Sequence, residues 1–151
     1  MTARIDNVYI DANIFIYLVE GHASVRSSLE AFADALDSRQ LRGVTSELTI
    51  AEVLVKPIAS TDKAYEQAYR ALFSVGTLLK MVPNTRVVLE RSAELRATIG
   101  GKLADSIHAA TADLNSCATF LSEDKRIKLP PQVRLICLAD FPQLLKAITE
   151  T

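Results

Sequence analysis

The most constraining feature of this sequence is its alternation of short apolar segments with longer amphipathic ones. The short segments predict strands at residues 8–10, 44–45, 78–82, 118–121 and 133–138. An apolar residue at every third or fourth position predicts helices at residues 13–20, 24–40, 46–56, 61–75, 84 or 85 to 100, and 103–115, with a last short helix capped by Asp140. Short strands separated by long helices predict an α/β fold, in which a parallel sheet is covered by helices on both faces.

The composition is that of an ordinary globular domain. The chain has 151 residues, of which 49% are hydrophobic and 23% charged, and this excludes a disordered or fibrous protein. The apolar run at residues 14–19 is shorter than the ~20 residues that a bilayer requires. Residues 1–6 lack the apolar region of a secretory signal, and two cysteines are too few for a disulfide framework. We therefore expect residues 1–151 to form a single domain in the cytoplasm, with no membrane partner.

The net charge gives no support for binding to nucleic acid. It is −1, with an isoelectric point near 6.1. A polyanionic partner would therefore require a local basic surface or a bound cation.

Two aspartates follow predicted strands at the sheet edge where ligands bind in parallel α/β folds. Asp11 comes directly after residues 8–10, and Asp124 follows residues 118–121 through Ser122 and Glu123. A helix N-cap would equally explain Asp11, and a simple turn would explain Asp124. Both interpretations stay open for each residue.

Two further acids lie in predicted helices. In the helix that Ser46 begins and Pro57 helps to stop, Glu52 falls within an apolar stripe formed by Leu48, Ala51 and Val55. A carboxylate in such a stripe is costly unless it is paired or bound to a metal, although a side chain at the stripe edge can reach water.

Asp105 lies in the alanine-rich helix at residues 103–115, which small side chains allow to pack close to the sheet. A carboxylate in the first turn of a helix is also favoured by the helix dipole. Converging acids repel each other and their pKa values rise, and a divalent cation removes this repulsion. Oxygen ligands alone favour Mg²⁺ or Mn²⁺ over zinc or copper.

Four segments together resemble the motifs of PIN-domain nucleases. They are residues 8–17, 46–54, 102–112 and 120–126, and their order and spacing both match over nearly the whole chain. The size and the surroundings of Glu52 are most similar to VapC-type toxins of bacterial toxin–antitoxin pairs. The resemblance implies a three-layer α/β/α sandwich and Mg²⁺- or Mn²⁺-dependent cleavage of RNA to a 5′-phosphate and a 3′-hydroxyl.

The resemblance also implies the site residues. Asp11 and Asp105 would hold the principal metal ion, Glu52 would bind it through water or position the attacking water, and Asp124 would help to hold that ion or a second one. Asn13 and Ser122 fall where the family places polar residues that support the first and fourth acids. Glu123 departs from the family pattern and leaves open which acid of the pair 123–124 faces the metal.

The resemblance further implies an RNA substrate, an antitoxin partner and a homodimer. Basic residues beside the acidic motifs are candidate RNA contacts, although an ordinary solvated surface explains any one of them. They are Lys56, Lys102, Lys125, Arg126 and Lys128. We interpret His108 as a packed or hydrogen-bonded histidine rather than a metal ligand.

Four other functions stay open at this point. A haloacid-dehalogenase-type phosphatase also begins with a strand and an aspartate, but it needs a second acid where Asn13 stands. A receiver domain needs an aspartate at the end of a central strand, whereas Glu52 lies in a helix. A non-catalytic binding module and a stand-alone RNA-processing nuclease with the same fold are the remaining alternatives.

Overall fold

Residues 6–74 and 78–150 are described by a computed structural model. Within these residues, five strands form one parallel sheet in the order β3-β2-β1-β4-β5. The strands are β1 (Asp6–Ile10), β2 (Leu41–Ser46), β3 (Leu79–Val82), β4 (Thr119–Leu121) and β5 (Arg134–Ile136). All four pairings are parallel, as the sequence predicted.

Seven α-helices of the described residues cover the two faces of this sheet. They are α1 (Ala12–Glu20), α2 (Arg26–Asp37), α3 (Leu48–Ala59), α4 (Lys63–Leu72), α5 (Arg86–Ile99), α6 (Leu103–Leu114) and α7 (Phe141–Thr149). Because side chains alternate along a strand, Val8 and Ile10 pack in the cluster formed by α1–α4 and α7. Tyr9 packs on the opposite face with Phe120 and with Ala112 of α6. The result is the expected three-layer α/β/α sandwich.

Local signals explain where several helices begin and end. Gly21 and Gly100 follow α1 and α5 with φ of 82° and 79°, values that favour glycine. The side chains of Asp62 and Thr85 accept hydrogen bonds from the first turns of α4 and α5. None of the described helices is long and apolar enough to cross a membrane.

The structure corrects several predicted boundaries. Pro57 does not stop α3, which runs on to Ala59 with Pro57 buried in its last turn. Pro57 removes the hydrogen bond of its own N–H and crowds the carbonyl of residue 53, and the helix ends two residues later. Asp140 precedes α7, but its side chain makes no capping hydrogen bond to that helix.

Strand β2 is longer than the predicted two residues because residues 41–44 all pair with β1, and Gly43 lies close against the side chains of Ile10 and Leu79. Val75 and residues 1–5, on which two of the predictions rest, lie outside the described residues.

Candidate functional site

The candidate site lies where the strand order reverses, between β1 and β4. From β1, the chain continues to β2 and β3 on one side of the sheet, whereas β4 and β5 lie on the other side of β1. The carboxyl ends of strands at such a reversal form the usual ligand-binding crevice of an open α/β sheet. The Asp11 N–H donates to the Leu121 carbonyl at 3.0 Å, so Asp11 and the loop after β4 are held together at this crevice.

Asp11 is buried and both of its carboxylate oxygens accept hydrogen bonds. Oδ1 accepts the Ala12 N–H at 2.8 Å, which makes Asp11 the N-cap of α1. Oδ2 accepts the Ser122 hydroxyl at 2.7 Å and the Asn13 amide at 3.4 Å. The Asn13 amide also donates to Ser122 Oγ at 3.0 Å. Asn13 and Ser122 therefore both hydrogen-bond to the carboxylate of Asp11.

The loop after β4 separates the two neighbouring acids. Glu123 Oε1 accepts the backbone N–H of Leu138 at 2.6 Å, so this carboxylate is bound beyond the end of β5. Asp124 is held by its backbone, whose N–H donates to Ser122 Oγ at 3.1 Å. Its Oδ1 accepts the N–H of Arg126 at 3.0 Å and the Arg126 Nε at 3.3 Å. The N–H of Arg126, together with its guanidinium, lowers the pKa of Asp124.

Asp105 lies in the first turn of α6 and is half-buried. Burial raises the pKa of Asp105 above its ordinary value, and the negative charges of Asp11 and Asp124 raise it further. In the part of the chain that the structure describes, neither oxygen of Asp105 accepts a hydrogen bond or forms an ion pair. The charges of the first and fourth acids therefore act on Asp105, and nearby positive charges compensate for them only in part.

Glu52 lies on α3, but the predicted apolar stripe around it is wrong. The buried face of α3 is formed by Thr49, Val53, Leu54 and Pro57. Val55 is 67% exposed and Ala51 is also exposed, because the inward face of this helix is turned away from both. Glu52 lies at the border of that face, where its side chain is 35% exposed.

Glu52 has a buried partner on another helix. Its Oε1 lies 2.5 Å from His108 Nε2, and His108 Nδ1 lies 2.5 Å from the Tyr9 hydroxyl. Burial lowers the pKa of His108, but the hydrogen bond and charge of Glu52 and the charges of Asp11 and Asp105 outweigh it and raise the pKa overall. The interpretation of His108 as a hydrogen-bonded rather than a metal-ligating residue agrees with these contacts.

The sequence interpretation missed Tyr9, which is fully buried and accepts the Ser46 N–H at 3.1 Å. Burial raises the pKa of Tyr9 well above its ordinary value. A tyrosine between the aliphatic Val8 and Ile10 was the only available signal, since a buried hydroxyl needs a partner.

The oxygen chemistry of these side chains suits a hard divalent cation. Among the described residues, no hydrogen-bond donor contacts Glu52 Oε2, Asp124 Oδ2 or either oxygen of Asp105. These free oxygens lie on three elements beside the buried Asp11. The described residues contain no group of three or more histidine, cysteine or acidic side chains already arranged to hold a metal ion. Binding would therefore require the free carboxylates to turn towards a common centre.

The predicted basic residues are all exposed. One of them, Lys102, affects the pKa of two of the acids. The charge of Lys102, at the N-cap of α6, lowers the pKa of both Asp105 and Asp124. Arg126 is bound to Asp124, whereas Lys56 and Lys125 form no ion pair with any described residue.

Comparisons with known proteins agree with this architecture. The family model described as "PIN domain" matches residues 8–131. No curated protein matches the chain significantly. Among solved structures, a chain of a toxin–antitoxin complex from Klebsiella pneumoniae is 25% identical, with a TM-score of 0.64, and the match covers 84% of this chain and 95% of that one.

Two more distant structures share the fold. A chain of VapBC2 from Rickettsia felis, bound to a DNA fragment from its promoter, is 20% identical with a TM-score of 0.63, covering 87% of this chain and 98% of that one. A chain of FitAB bound to a DNA fragment is 19% identical with a TM-score of 0.65, covering 87% and 94%. Because the family model spans most of the described sheet and all four acids, this chain belongs to the PIN domain family of nucleases.

Proposed function

We propose that this protein is a divalent-metal-dependent endoribonuclease that hydrolyses RNA phosphodiesters and is the toxin of a toxin–antitoxin pair. The observation that best supports the nuclease proposal is the state of Asp105. The charges of Asp11 and Asp124 act on this half-buried carboxylate, which accepts no hydrogen bond from any described residue. A bound cation would relieve this repulsion, which His108 and Lys102 offset only in part.

The proposed ligands of Mg²⁺ or Mn²⁺ are Asp11, Asp105 and Asp124, with Glu52 bound directly or through water. When bound, such an ion lowers the pKa of a coordinated water and neutralises charge that develops on the phosphate. The chain supplies the positions of its own groups. Ser122 and Asn13 hold Oδ2 of Asp11, and the Ser122 hydroxyl also accepts the N–H of Asp124.

Each of these acids keeps carboxylate lone pairs that are free to bind a metal ion. The hydrogen bonds of Asp124 and Glu52 use one oxygen each. A carboxylate oxygen can accept more than one contact, so even the doubly engaged Asp11 retains acceptor sites. The side chain of Glu52 is 35% exposed, so water can reach the oxygen that would bind or orient the attacking water.

The candidate RNA contacts are Lys56, Lys102, Lys125 and Arg126. Lys102 has the best support, because its charge already acts on two of the acids. Neutralising a phosphate contact reduces the slope of log affinity against log salt by roughly one. Measuring RNA affinity of Lys102→Ala over a salt series, with Lys63→Ala on α4 as a control, tests this contact. An unchanged slope for Lys102→Ala would remove it from the proposal.

Cleavage of RNA by the purified protein tests the nuclease proposal. Mg²⁺ or Mn²⁺ should support cleavage, EDTA should stop it, and Asp105→Asn should abolish it. Glu123→Gln is the matched control, because it removes the charge of a neighbouring acid that is engaged by Leu138 instead. Full activity of Asp105→Asn, or of the wild type in EDTA, would contradict the proposal.

The toxin proposal is supported by one of the solved structures that resemble this chain, a chain of a toxin–antitoxin complex from Klebsiella pneumoniae. It includes an antitoxin partner, a homodimer and a cytoplasmic location. Expression of the chain should arrest growth, and co-expression of the reading frame beside its gene should relieve the arrest and co-purify with it. Nuclease activity without growth arrest or such a partner would instead favour a stand-alone RNA-processing enzyme.

The phosphatase and receiver-domain alternatives are not favoured, because the chain belongs to the PIN domain family. The amide of Asn13, at the position where a phosphatase of the haloacid dehalogenase type needs an acid, donates to Asp11 and Ser122. It therefore acts as a hydrogen-bonding support.

A further inference from the structure

A chain of three side chains links the elements that carry three of the four acids. Tyr9 lies on β1, two residues before Asp11, and His108 lies on α6, three residues after Asp105. The Tyr9 hydroxyl is 2.5 Å from His108 Nδ1, and His108 Nε2 is 2.5 Å from Glu52 Oε1. The first two members are almost completely buried, with 0% and 1% exposure, whereas Glu52 lies at the protein surface.

The donors and acceptors of this chain can be assigned in one consistent direction. The N–H of Ser46 donates to the Tyr9 oxygen at 3.1 Å, which leaves the Tyr9 hydroxyl hydrogen for His108 Nδ1. A neutral imidazole that accepts at Nδ1 carries its hydrogen on Nε2. His108 then donates from Nε2 to Glu52, so the buried end of the chain selects the tautomer that binds the carboxylate.

Packing alone does not account for this arrangement. An apolar residue would fill the interior position of His108 without burying a polar ring, and burying such a ring is unfavourable unless both nitrogens have partners. Both nitrogens have partners, and one of them is an acid on the surface rather than a group of the core. Oε2 of Glu52 has no hydrogen-bond donor among the described residues, and its position is fixed by the hydrogen bond that Oε1 makes to His108.

We propose that Tyr9 and His108 are positioning residues that hold Glu52 in the orientation in which it serves the acidic site. The proposal rests on the proposed function for what Glu52 does, but the positioning itself is a property of the metal-free chain. Partners of this kind, which orient a ligand from behind, typically change metal affinity or activity by about 10–100-fold when they are removed.

Nuclear magnetic resonance of the metal-free protein tests the positioning directly. Long-range ¹H–¹⁵N spectra recorded at a pH where His108 is neutral should show the Nε2–H tautomer, and side-chain couplings should show one rotamer for Glu52. Tyr9→Phe should weaken the preference for this tautomer, and His108→Leu should leave Glu52 averaging among rotamers. An Nδ1–H tautomer in the wild type, or a Glu52 that is equally averaged with and without His108, would overturn the proposal.

A double-mutant cycle on Mn²⁺ affinity, measured by calorimetry, tests whether His108 acts through Glu52. His108→Leu should weaken binding by about 10–100-fold in the wild-type background and by less than about 3-fold in Glu52→Ala. A role in the general stability of the fold predicts the same loss in both backgrounds, and that result would refute the positioning role.

The conservative variant His108→Gln separates hydrogen bonding from packing and covers the case in which His108→Leu fails to fold. Glutamine retains an N–H near the position of Nε2, so its Mn²⁺ affinity should lie closer to the wild type than that of His108→Leu. An order in which leucine restores affinity and glutamine does not would contradict the proposal.

The nuclear magnetic resonance and calorimetry experiments also separate the failure of this proposal from the failure of the proposed function. A wild type that binds no Mn²⁺ overturns the metal-dependent nuclease and the catalytic purpose of Glu52. In that case, the nuclear magnetic resonance arm alone still decides whether Tyr9 and His108 orient Glu52.

Discussion

Replacing Asp11 in two ways separates its structural contribution from its proposed role in metal binding. Its Oδ1 caps α1 through the Ala12 N–H, and its Oδ2 accepts the hydroxyl of the fully buried Ser122. Asparagine caps helices about as well as aspartate, so Asp11→Asn should preserve the cap, and its amide NH2 can bond Ser122 by donating to the hydroxyl oxygen. Alanine removes all of these contacts, while both variants remove the same negative charge.

The expected difference follows from those contacts. Loss of an N-cap costs about 1 kcal/mol. Because both variants lose the charge, the hydrogen bond that can still distinguish them is a neutral one, worth about 0.5–1.5 kcal/mol. Asp11→Ala should therefore unfold with a free energy about 1.5–2.5 kcal/mol below that of Asp11→Asn, a measurable part of the total for a domain that is stable by about 5–15 kcal/mol. In a chain of this length, this difference lowers the melting temperature by roughly 3–10 °C.

Urea and thermal unfolding in EDTA measure this difference without a contribution from bound metal. In the RNA cleavage assay, both variants should be inactive, because both lack the carboxylate. Equal stabilities of Asp11→Asn and Asp11→Ala would show that the cap and the bond to Ser122 are not the contacts that Asp11 makes. Cleavage by Asp11→Asn at the wild-type rate would show that its charge is not required.

Three further predictions concern residues around the site. Asp105→Asn should raise the free energy of unfolding of the metal-free protein at pH 7, because the raised pKa of Asp105 means that its ionised form destabilises the fold. This gain in stability should vanish as the pH falls below the pKa of an unfolded aspartate, near 3.8. Urea titrations from pH 3 to pH 7 that show no such gain would contradict the repulsion. Glu123→Ala should lower the free energy of unfolding by about 1–3 kcal/mol, since the Leu138 N–H loses its acceptor, but calorimetry should find Mn²⁺ affinity unchanged; a loss of affinity would give Glu123 a place in the site. Gly43→Ala should cost about 1–3 kcal/mol in urea unfolding, because its Cβ would lie 2.7 Å from Leu79 Cδ2 and 2.8 Å from Ile10 Cδ1, and a neutral result would mean that these side chains yield freely.

The parts of the fold that local chemistry controls were predicted from the sequence. Residues 8–10 are apolar and β-branched or aromatic, and they lie in β1. Thr85 and Gly100 mark the two ends of α5, the one by capping and the other by a positive φ. The effect of Thr85 and Gly100 depends only on neighbouring residues in the chain, so it can be predicted from the sequence alone.

The orientation of α3 could not be predicted in the same way. This helix has apolar side chains around much of its circumference, so the spacing of Leu48, Ala51 and Val55 gave as good a stripe as the buried one. The choice between these faces is made by packing against α1 and α4, which a pattern within one helix does not contain. Glu52 was therefore chosen as a candidate site residue because of an apolar stripe that the structure does not bury.

The bonds that organise the site join residues far apart in the chain. Ser122 and Asp11 are 111 positions apart, and Tyr9 and His108 are 99 apart. The resemblance to a family marked position 122 as a polar support of the first or the fourth acid, but it did not specify this contact. Nothing in the sequence predicted the second, because a tyrosine in a strand and a histidine in a helix each have many other partners available.

Anomalous scattering from crystals grown with Mn²⁺ tests the central claim most directly, because it locates the ion relative to each carboxylate. We expect an anomalous peak coordinated by Asp11 and Asp105, with Asp124 and Glu52 turned towards it, and no such peak in crystals of Asp105→Asn. A wild-type protein whose crevice between β1 and β4 contains no manganese, or whose peak survives in Asp105→Asn, would contradict a metal-dependent nuclease built on these four acids.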